Sequence, residues 1–430
     1  LLSSIEVDLL FILRQVNLNW FALSKKNGIM DRVILLLLLG GLAWSGSVWA
    51  NVPLDTIRAQ GAWGQLRLDA RYRYELVDEM GKEAARASTL RLRMGYGAPA
   101  LEGFRAYVEL EGLQAVGADR YNSLRNGRRR YATVADPEKA ELNQLWLETS
   151  LIPQMRLRVG RQRITYDNQR FIGNVGWRQL EQTYDAVAAT SQPLSDLVID
   201  GAYLWQVQNV LSQRQQLTAP LLHLTYTGWP IARVVAYGYW IGYQEAENFA
   251  RSSQTYGFRM EGSRLLDNHL VLRYAAEFAY QMDYHDNPND FAVQYLHGLL
   301  GLTVRQSGWI VSAAGALELF TSDRGVAFST PLATLHAFQG WADRFLQTPP
   351  QGLRDLYVLL SVQRGRMQLT GAYHDFANDD GKIAYGHELN FSAGYALTPN
   401  LSFLLKYAAY KARFWSTDVQ KYWLVLSFGF

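Results

Sequence analysis

The 430-residue sequence contains no cysteine, which excludes disulfides, thiolate metal sites and cysteine nucleophiles. It also lacks a charge excess: 42 Lys+Arg against 39 Asp+Glu leave a formal +3, so no bulk basicity points to nucleic acid as a partner. Past residue 50 no segment approaches the roughly 18 consecutive apolar residues of a membrane helix. Yet 49% of the residues are hydrophobic and 13% aromatic, far too apolar a balance for disorder. The apolar residues must therefore be distributed on some period other than that of a spanning helix.

The N-terminal region is distinct. Met30-Asp31-Arg32 precede an apolar run from Val33 to Trp44, and Val48 and Ala50 fill the minus-three and minus-one places of a signal-peptidase site. The run is shorter than the ~20 residues of a single-span anchor. Residues 30–50 are thus expected to be a signal peptide cleaved after Ala50, residues 1–29 to be upstream translation or unstructured, and residues 51–430 to form one domain.

That domain alternates. Leu66, Leu68, Ala70, Tyr72, Tyr74 and Leu76 share one face of a strand, and Arg67, Asp69, Arg71, Arg73 and Glu75 share the other. Leu90, Leu92, Met94 and Tyr96 likewise oppose Arg91 and Arg93, and Phe104, Ala106, Val108 and Leu110 oppose Arg105, Glu109 and Glu111. Similar segments follow near 141–150, 155–163, 182–190, 196–207, 219–227, 231–243, 253–263, 268–282, 291–304, 309–321, 354–363, 366–376, 385–397, 400–411 and 419–430. The expected fold class is all-β: a transmembrane antiparallel outer-membrane β-barrel of about 18 strands. A one-residue slip of the first strand would turn Arg67, Arg71 and Arg73 to lipid at about 2–4 kcal/mol each near the midplane. The charged face is therefore the lumen.

The connections agree. Every second one is short and turn-like: GAPALEG, LIPQ, SQPLS, GWP, SRLLD, RQSG, RGR and LTPN. The others are expected to be longer and more polar, as external loops are. In the last strand Tyr422, Leu424, Leu426, Phe428 and Phe430 share one face. This strand resembles the closing strand of bacterial outer-membrane proteins, which implies recognition by the barrel-assembly machinery. A Gram-negative outer membrane, and contact with its lipid, follow as expectations.

Inward charges are the functional inventory. The early lumen set is Arg67, Arg71, Arg73, Arg91, Arg93, Arg105, Arg156 and Arg158, against Asp69, Glu75, Glu109, Glu111 and Glu148. Arcs of arginine line anion-selective pores, although many such arginines simply pair with neighbouring acids. Further arginines, Arg161, Arg163, Arg170 and Arg178, run along the stretch GRQRITYDNQRFIGNVGWRQLEQTYDAV from Gly160 to Val187, read as a strand end, an external loop and a strand start. These twelve arginines are the candidate substrate path.

That stretch, through Gly160, Arg161, Gln162, Asp167, Arg170, Gly173, Trp177, Arg178 and Asp185, resembles the alginate export family of outer-membrane porins, as does Leu332–Tyr357. The resemblance implies an eighteen-stranded barrel with an arginine-rich constriction, passing an acidic polysaccharide or small anions without a cofactor. The loop Gln114–Ala140, with Arg125, Arg128, Arg129 and Arg130, is similar in place to one that covers the pore in the alginate exporter. That exporter's late periplasmic plug loop has only Leu397–Asn400 as its counterpart here.

Other classes are less well supported. A lipid-acting barrel enzyme needs Ser and His held together, whereas the seven histidines, His223, His269, His285, His297, His336, His374 and His387, are scattered without a nucleophile motif. The acidic runs DYHDNPND at 283–290 and DFANDDG at 375–381 lack EF-hand spacing, and no metal site is assigned. General or sugar and organic-anion uptake, or a barrel sheathing a periplasmic or surface partner protein, are the alternatives to polysaccharide export.

Overall fold

The computed structural model describes residues 64–430; the signal-peptide assignment and residues 1–29 lie outside the described residues. The first nine strands are β1 (Gln65–Glu79), β2 (Ala85–Gly97), β3 (Phe104–Arg120), β4 (Lys139–Thr149), β5 (Met155–Gln162), β6 (Thr183–Leu194), β7 (Leu197–Gln208), β8 (Arg214–Tyr226) and β9 (Arg233–Tyr243). Then come β10 (Ser253–Leu265), β11 (Leu270–Asp283), β12 (Ala292–Gln306) and β13 (Trp309–Phe320). A small hairpin, β14 (Ser322–Asp323) and β15 (Val326–Ala327), precedes β16 (Leu353–Arg364), β17 (Met367–Ala377), β18 (Ala384–Ala396), β19 (Leu401–Ala412) and β20 (Val419–Gly429).

Apart from the hairpin, each strand pairs antiparallel with its neighbours in the chain, and β13 pairs with β16 across the hairpin's loop. β20 closes on β1, from Asp69↔Gly429 to Glu79↔Val419. Closure removes every edge, which is what a sheet crossing hydrocarbon requires. The result is the expected closed 18-stranded barrel.

Register confirms the alternation read from the sequence. Leu92, Met94, Leu110, Leu145, Leu300, Leu356 and Leu360 are exposed on the outer surface, where lipid covers them, while Arg73, Glu75, Arg91, Arg93, Glu109 and Glu111 are buried inside. The start of β1, the end of β20 and the short turns lie at one rim, the periplasmic one.

The external connections differ from expectation. Only 121–138, 163–182 and 321–352 are long, whereas 80–84, 209–213, 378–383 and 413–418 are as short as periplasmic turns. Two of the long loops, 163–182 and 321–352, fold into the lumen. Their docking explains a second departure, an apolar core where a solvated lumen was expected: Phe171 of the first loop packs on inward Tyr237 (centroids 5.0 Å) and Tyr295 (5.7 Å) and on Phe328 (6.1 Å) of the second. Phe345 packs on Phe376 at 4.4 Å. Inward aromatic positions on β9, β12 and β17 are thus contacts for the loops, and burying such side chains gives ~1.5–3 kcal/mol each.

Candidate anion path and loop plug

The two inner loops are joined to each other before they are joined to the wall. Ile172 and Leu332 form a parallel bridge. Gly173 N donates to Leu332 O at 2.9 Å and Thr334 N donates to Gln169 O at 3.0 Å. Gly173 is required at this crossing, because a Cβ there would lie 2.3 Å from Thr334 Oγ1 and 2.8 Å from Gln169 Cβ. The loops form one plug.

A loop inside a lumen carries carbonyls with no strand partner, and these must be satisfied. The wall arginines of β1 and β2 do so. Arg71 donates from Nε to Gln179 Oε1 at 2.9 Å, from Nη1 to Gly176 O at 2.9 Å, and from Nη2 to Arg178 O. Arg73 donates to Trp177 O, lies 4.4 Å over the Trp177 ring and pairs with Asp136 at 3.4 Å. Arg91 pairs with Asp69 and donates to Gln179 O at 3.4 Å. Arg93 pairs with Glu111 at 2.7 Å and reaches Glu181 at 3.5 Å. Four rigid guanidinium forks therefore grip the loop from Gly176 to Glu181.

The loop's own arginines are equally engaged. Arg163 bonds Glu181 and lies 2.6 Å from Glu109. Arg170 is buried 3.4 Å from Glu318, against the rings of Phe320 (4.6 Å) and Phe338 (4.5 Å). Arg178 pairs with Asp343 of the other loop at 2.7 Å. Arg161 stands opposite Leu145, on the lipid-side face of β4, and binds Asp185 at 2.7 and 2.8 Å and Gln208 at 2.7 Å. Asp167 reaches the far wall, 2.8 Å from His223 and 2.7 Å from Arg233.

On the other side lies a latch whose partners no sequence pattern joins. His336 donates from Nδ1 to Asp343 Oδ1 at 2.7 Å, accepts from Lys406 Nζ at Nε2 at 2.6 Å, and stacks on Trp177 with centroids 4.7 Å apart. Asp343 also holds Lys421 at 2.8 Å. Burial would raise the Asp343 pKa, but His336, Lys421 and Arg178 hold it well below the carboxylate range. For His336, burial dominates, aided by Lys406 and Arg178, and pushes it well below the histidine range against the pull of Asp343. Both directions match a neutral imidazole that donates to the Asp343 carboxylate.

At the periplasmic end the charge balance changes. Arg105, Arg156 and Arg158 converge on one carboxylate, Glu148: Arg158 binds it at 2.7 and 2.9 Å, Arg156 lies at 3.7 Å, and Arg105 bonds the other oxygen. Glu148 is 1% exposed, whereas Arg105 and Arg156 are 45% and 51% exposed. Arg158 lies 4.0 Å over Trp146, which stacks on Tyr107. Arg67 shares this inner face, on the periplasmic end of β1. Of the twelve candidate arginines the structure gathers Arg105, Arg156 and Arg158 around Glu148, keeps Arg67 on the same inner face, spends Arg71, Arg73, Arg91, Arg93, Arg163, Arg170 and Arg178 on the plug, and sets Arg161 apart.

The sequence matches the alginate export family over residues 63–313. The chain belongs to the alginate export family. Solved structures show the same barrel. The chain is similar to Pseudomonas aeruginosa OpdK, crystallised with vanillate, at 12% identity and a TM-score of 0.65, covering 85% of this chain and 98% of that one. It is similar to P. aeruginosa OpdL at 15% identity and 0.63, with the same coverage, and to Acinetobacter baumannii OccAB3 at 15% identity and 0.64, covering 85% and 99%. A search of curated proteins gives no match. This alginate export family member is an outer-membrane porin, and its barrel contacts membrane lipid. Among the described residues no three acidic or histidine side chains converge as a metal site.

Proposed function

We propose that this porin passes anionic solutes passively, with Arg67, Arg105, Arg156 and Arg158 as the periplasmic capture site and export of an acidic polysaccharide such as alginate as its task. The observation that carries the reading is the three arginines sharing Glu148, two of them about half exposed. Each guanidinium offers a planar fork that fits a carboxylate, and one buried glutamate leaves the group with surplus positive charge. A uronate carboxylate arriving from the periplasm meets that surplus first. The seven plug-bound arginines line the path further out and reach a solute only when the loops part.

No catalytic step is part of this reading: three inward histidines, His223, His336 and His374, are committed to Asp167, Asp343 and Asp355, and a fourth, His297, faces Tyr357. Assembly through the strand that ends at Phe430 belongs to the same proposal. Small-anion uptake is the second reading, favoured by the vanillate in the OpdK structure, a carboxylate that would use the same forks. The discriminating experiment is planar-bilayer recording with oligomannuronate or vanillate added on the periplasmic side. Block by the oligosaccharide at lower concentration supports export; block by vanillate alone supports uptake. Absence of block by either overturns the capture site.

A further inference from the structure

The outer rim above β1–β3 carries a second arginine cluster, and two of its members, Arg86 and Arg120, sit on the lipid-facing side of their strands. In β2 the exposed outward residues Tyr96, Met94 and Leu92 lead up through Leu90 and Ser88 to Arg86. Ten residues at ~3.3 Å each, tilted by ~40°, rise ~25 Å, the height of the apolar band of such barrels. Arg86 therefore stands at the upper edge of the hydrocarbon. Register places Arg120 of β3 directly opposite it, on the same face.

Directly above, the turn 80–84 and the segment 122–133 lie side by side, with Glu83 N donating to Arg130 O at 3.0 Å and Ala132 N donating to Glu83 O at 2.9 Å. Arg120, Gly127, Arg128, Arg129, Arg130 and Tyr131 line an open cavity of about 590 Å³ with Asp119. Asp119 answers Arg128 at 2.9 Å and Glu83 answers Arg130 at 3.6 Å. These two acids balance only part of the cluster, and Arg120 and Arg129 remain exposed. A turn held this firmly by backbone bonds presents its guanidiniums at a fixed height.

We propose that this rim binds the phosphates of an anionic glycolipid in the outer leaflet. The outward register of Arg86 and Arg120, at the level where hydrocarbon ends, identifies the source as a lipid headgroup rather than a polymer leaving the lumen. Planar forks in a shallow cavity suit a phosphate, which accepts two parallel N–H bonds from each. The surplus charge supplies the attraction, and its strength falls with salt.

The test is native mass spectrometry of the purified barrel in neutral detergent with diphosphorylated lipid A, its dephosphorylated form, or oligomannuronate. The wild-type protein retains lipid A, and Arg120→Ser/Arg128→Ser/Arg129→Ser reduces retention at least tenfold while bilayer conductance and heat-modifiable migration stay as in the wild type. Equal retention of the dephosphorylated form, or no loss in the triple variant, overturns the proposal. Oligomannuronate displacing lipid A from this rim assigns the cluster to the polysaccharide and overturns it equally.

Discussion

Arg178 and Asp343, from two different loops, lie 2.7 Å apart inside the barrel. Asp343 is also the acceptor for His336 and Lys421, so one carboxylate ties both loops to β20 of the wall. Replacing it removes the charge that three cationic or donor groups share, and breaking such a buried pair costs about 3–5 kcal/mol. Asp343→Asn is expected to raise single-channel conductance and open-channel noise severalfold in planar bilayers. A trace indistinguishable from wild type would show that the plug does not hold through Asp343.

Acid should act on the same latch. The docked His336 has a pKa below its value of ~6.5 in the undocked loop, so the undocked state binds more protons between the two values. The contribution of His336 to docking is then fully present above pH ~6.5 and is lost as the pH falls. The physical reason is that a protonated Nε2 can no longer accept from Lys406 Nζ, 2.6 Å away. Asp343, Arg178, Lys421 and the Trp177 and Trp423 rings complete its surroundings. Channel noise is expected to increase from pH 7 to pH 5 in the wild type and to stay flat in His336→Phe; an equal rise in both would place the sensor elsewhere.

The lumen arginines should divide into two functional groups. Arg93 is 7% exposed between Glu111 and Glu181, and Arg93→Met is expected to destabilise the barrel by about 3 kcal/mol, read as a lower urea midpoint for loss of heat-modifiable migration. Its effect on ion selectivity should be small while the fold persists. The reverse pattern, unchanged stability with altered selectivity, would make Arg93 a solute contact even while the plug is docked.

Backbone crowding gives a further handle. Gly173→Ala forces a methyl into Thr334 Oγ1 and the Gln169 side chain, where the two loops bridge at Ile172 and Leu332. Limited proteolysis is expected to cleave the 163–182 and 321–352 loops of this variant at least tenfold faster than in the wild type. Equal protection would mean that the loops adapt around the methyl.

The wall was legible in the sequence because alternation is local: Arg67, Asp69, Arg71 and Arg73 announce their common face without reference to any other strand. Strand number followed from the same signal and from the turns. What alternation cannot show is a contact made across the lumen. Asp136 with Arg73, Gln179 with Arg71, and His336 with Lys406 join residues 63, 108 and 70 positions apart, and no periodicity connects them. The Gly160–Val187 stretch was legible as an arginine run and as a family motif, yet its chemistry is mostly that of a docked loop: Gly173 for close approach, Trp177 for stacking, Arg178 for the link to Asp343. A hint was present in Asp167, Glu181 and Asp185, acids placed among the arginines in numbers that suit internal pairing. The three-to-one arginine excess at Glu148 was missed because Arg105, Glu148, Arg156 and Arg158 come from three strands whose relative register only the folded sheet sets.

The most direct test of anion passage is the reversal potential across a planar bilayer under a tenfold KCl gradient, for the wild type and for Arg105→Ser/Arg156→Ser/Arg158→Ser. The account predicts a chloride-selective wild type and a triple variant shifted several-fold toward cations, with Glu148 then unopposed. A cation-selective wild type, or a triple variant with unchanged reversal potential, would contradict it.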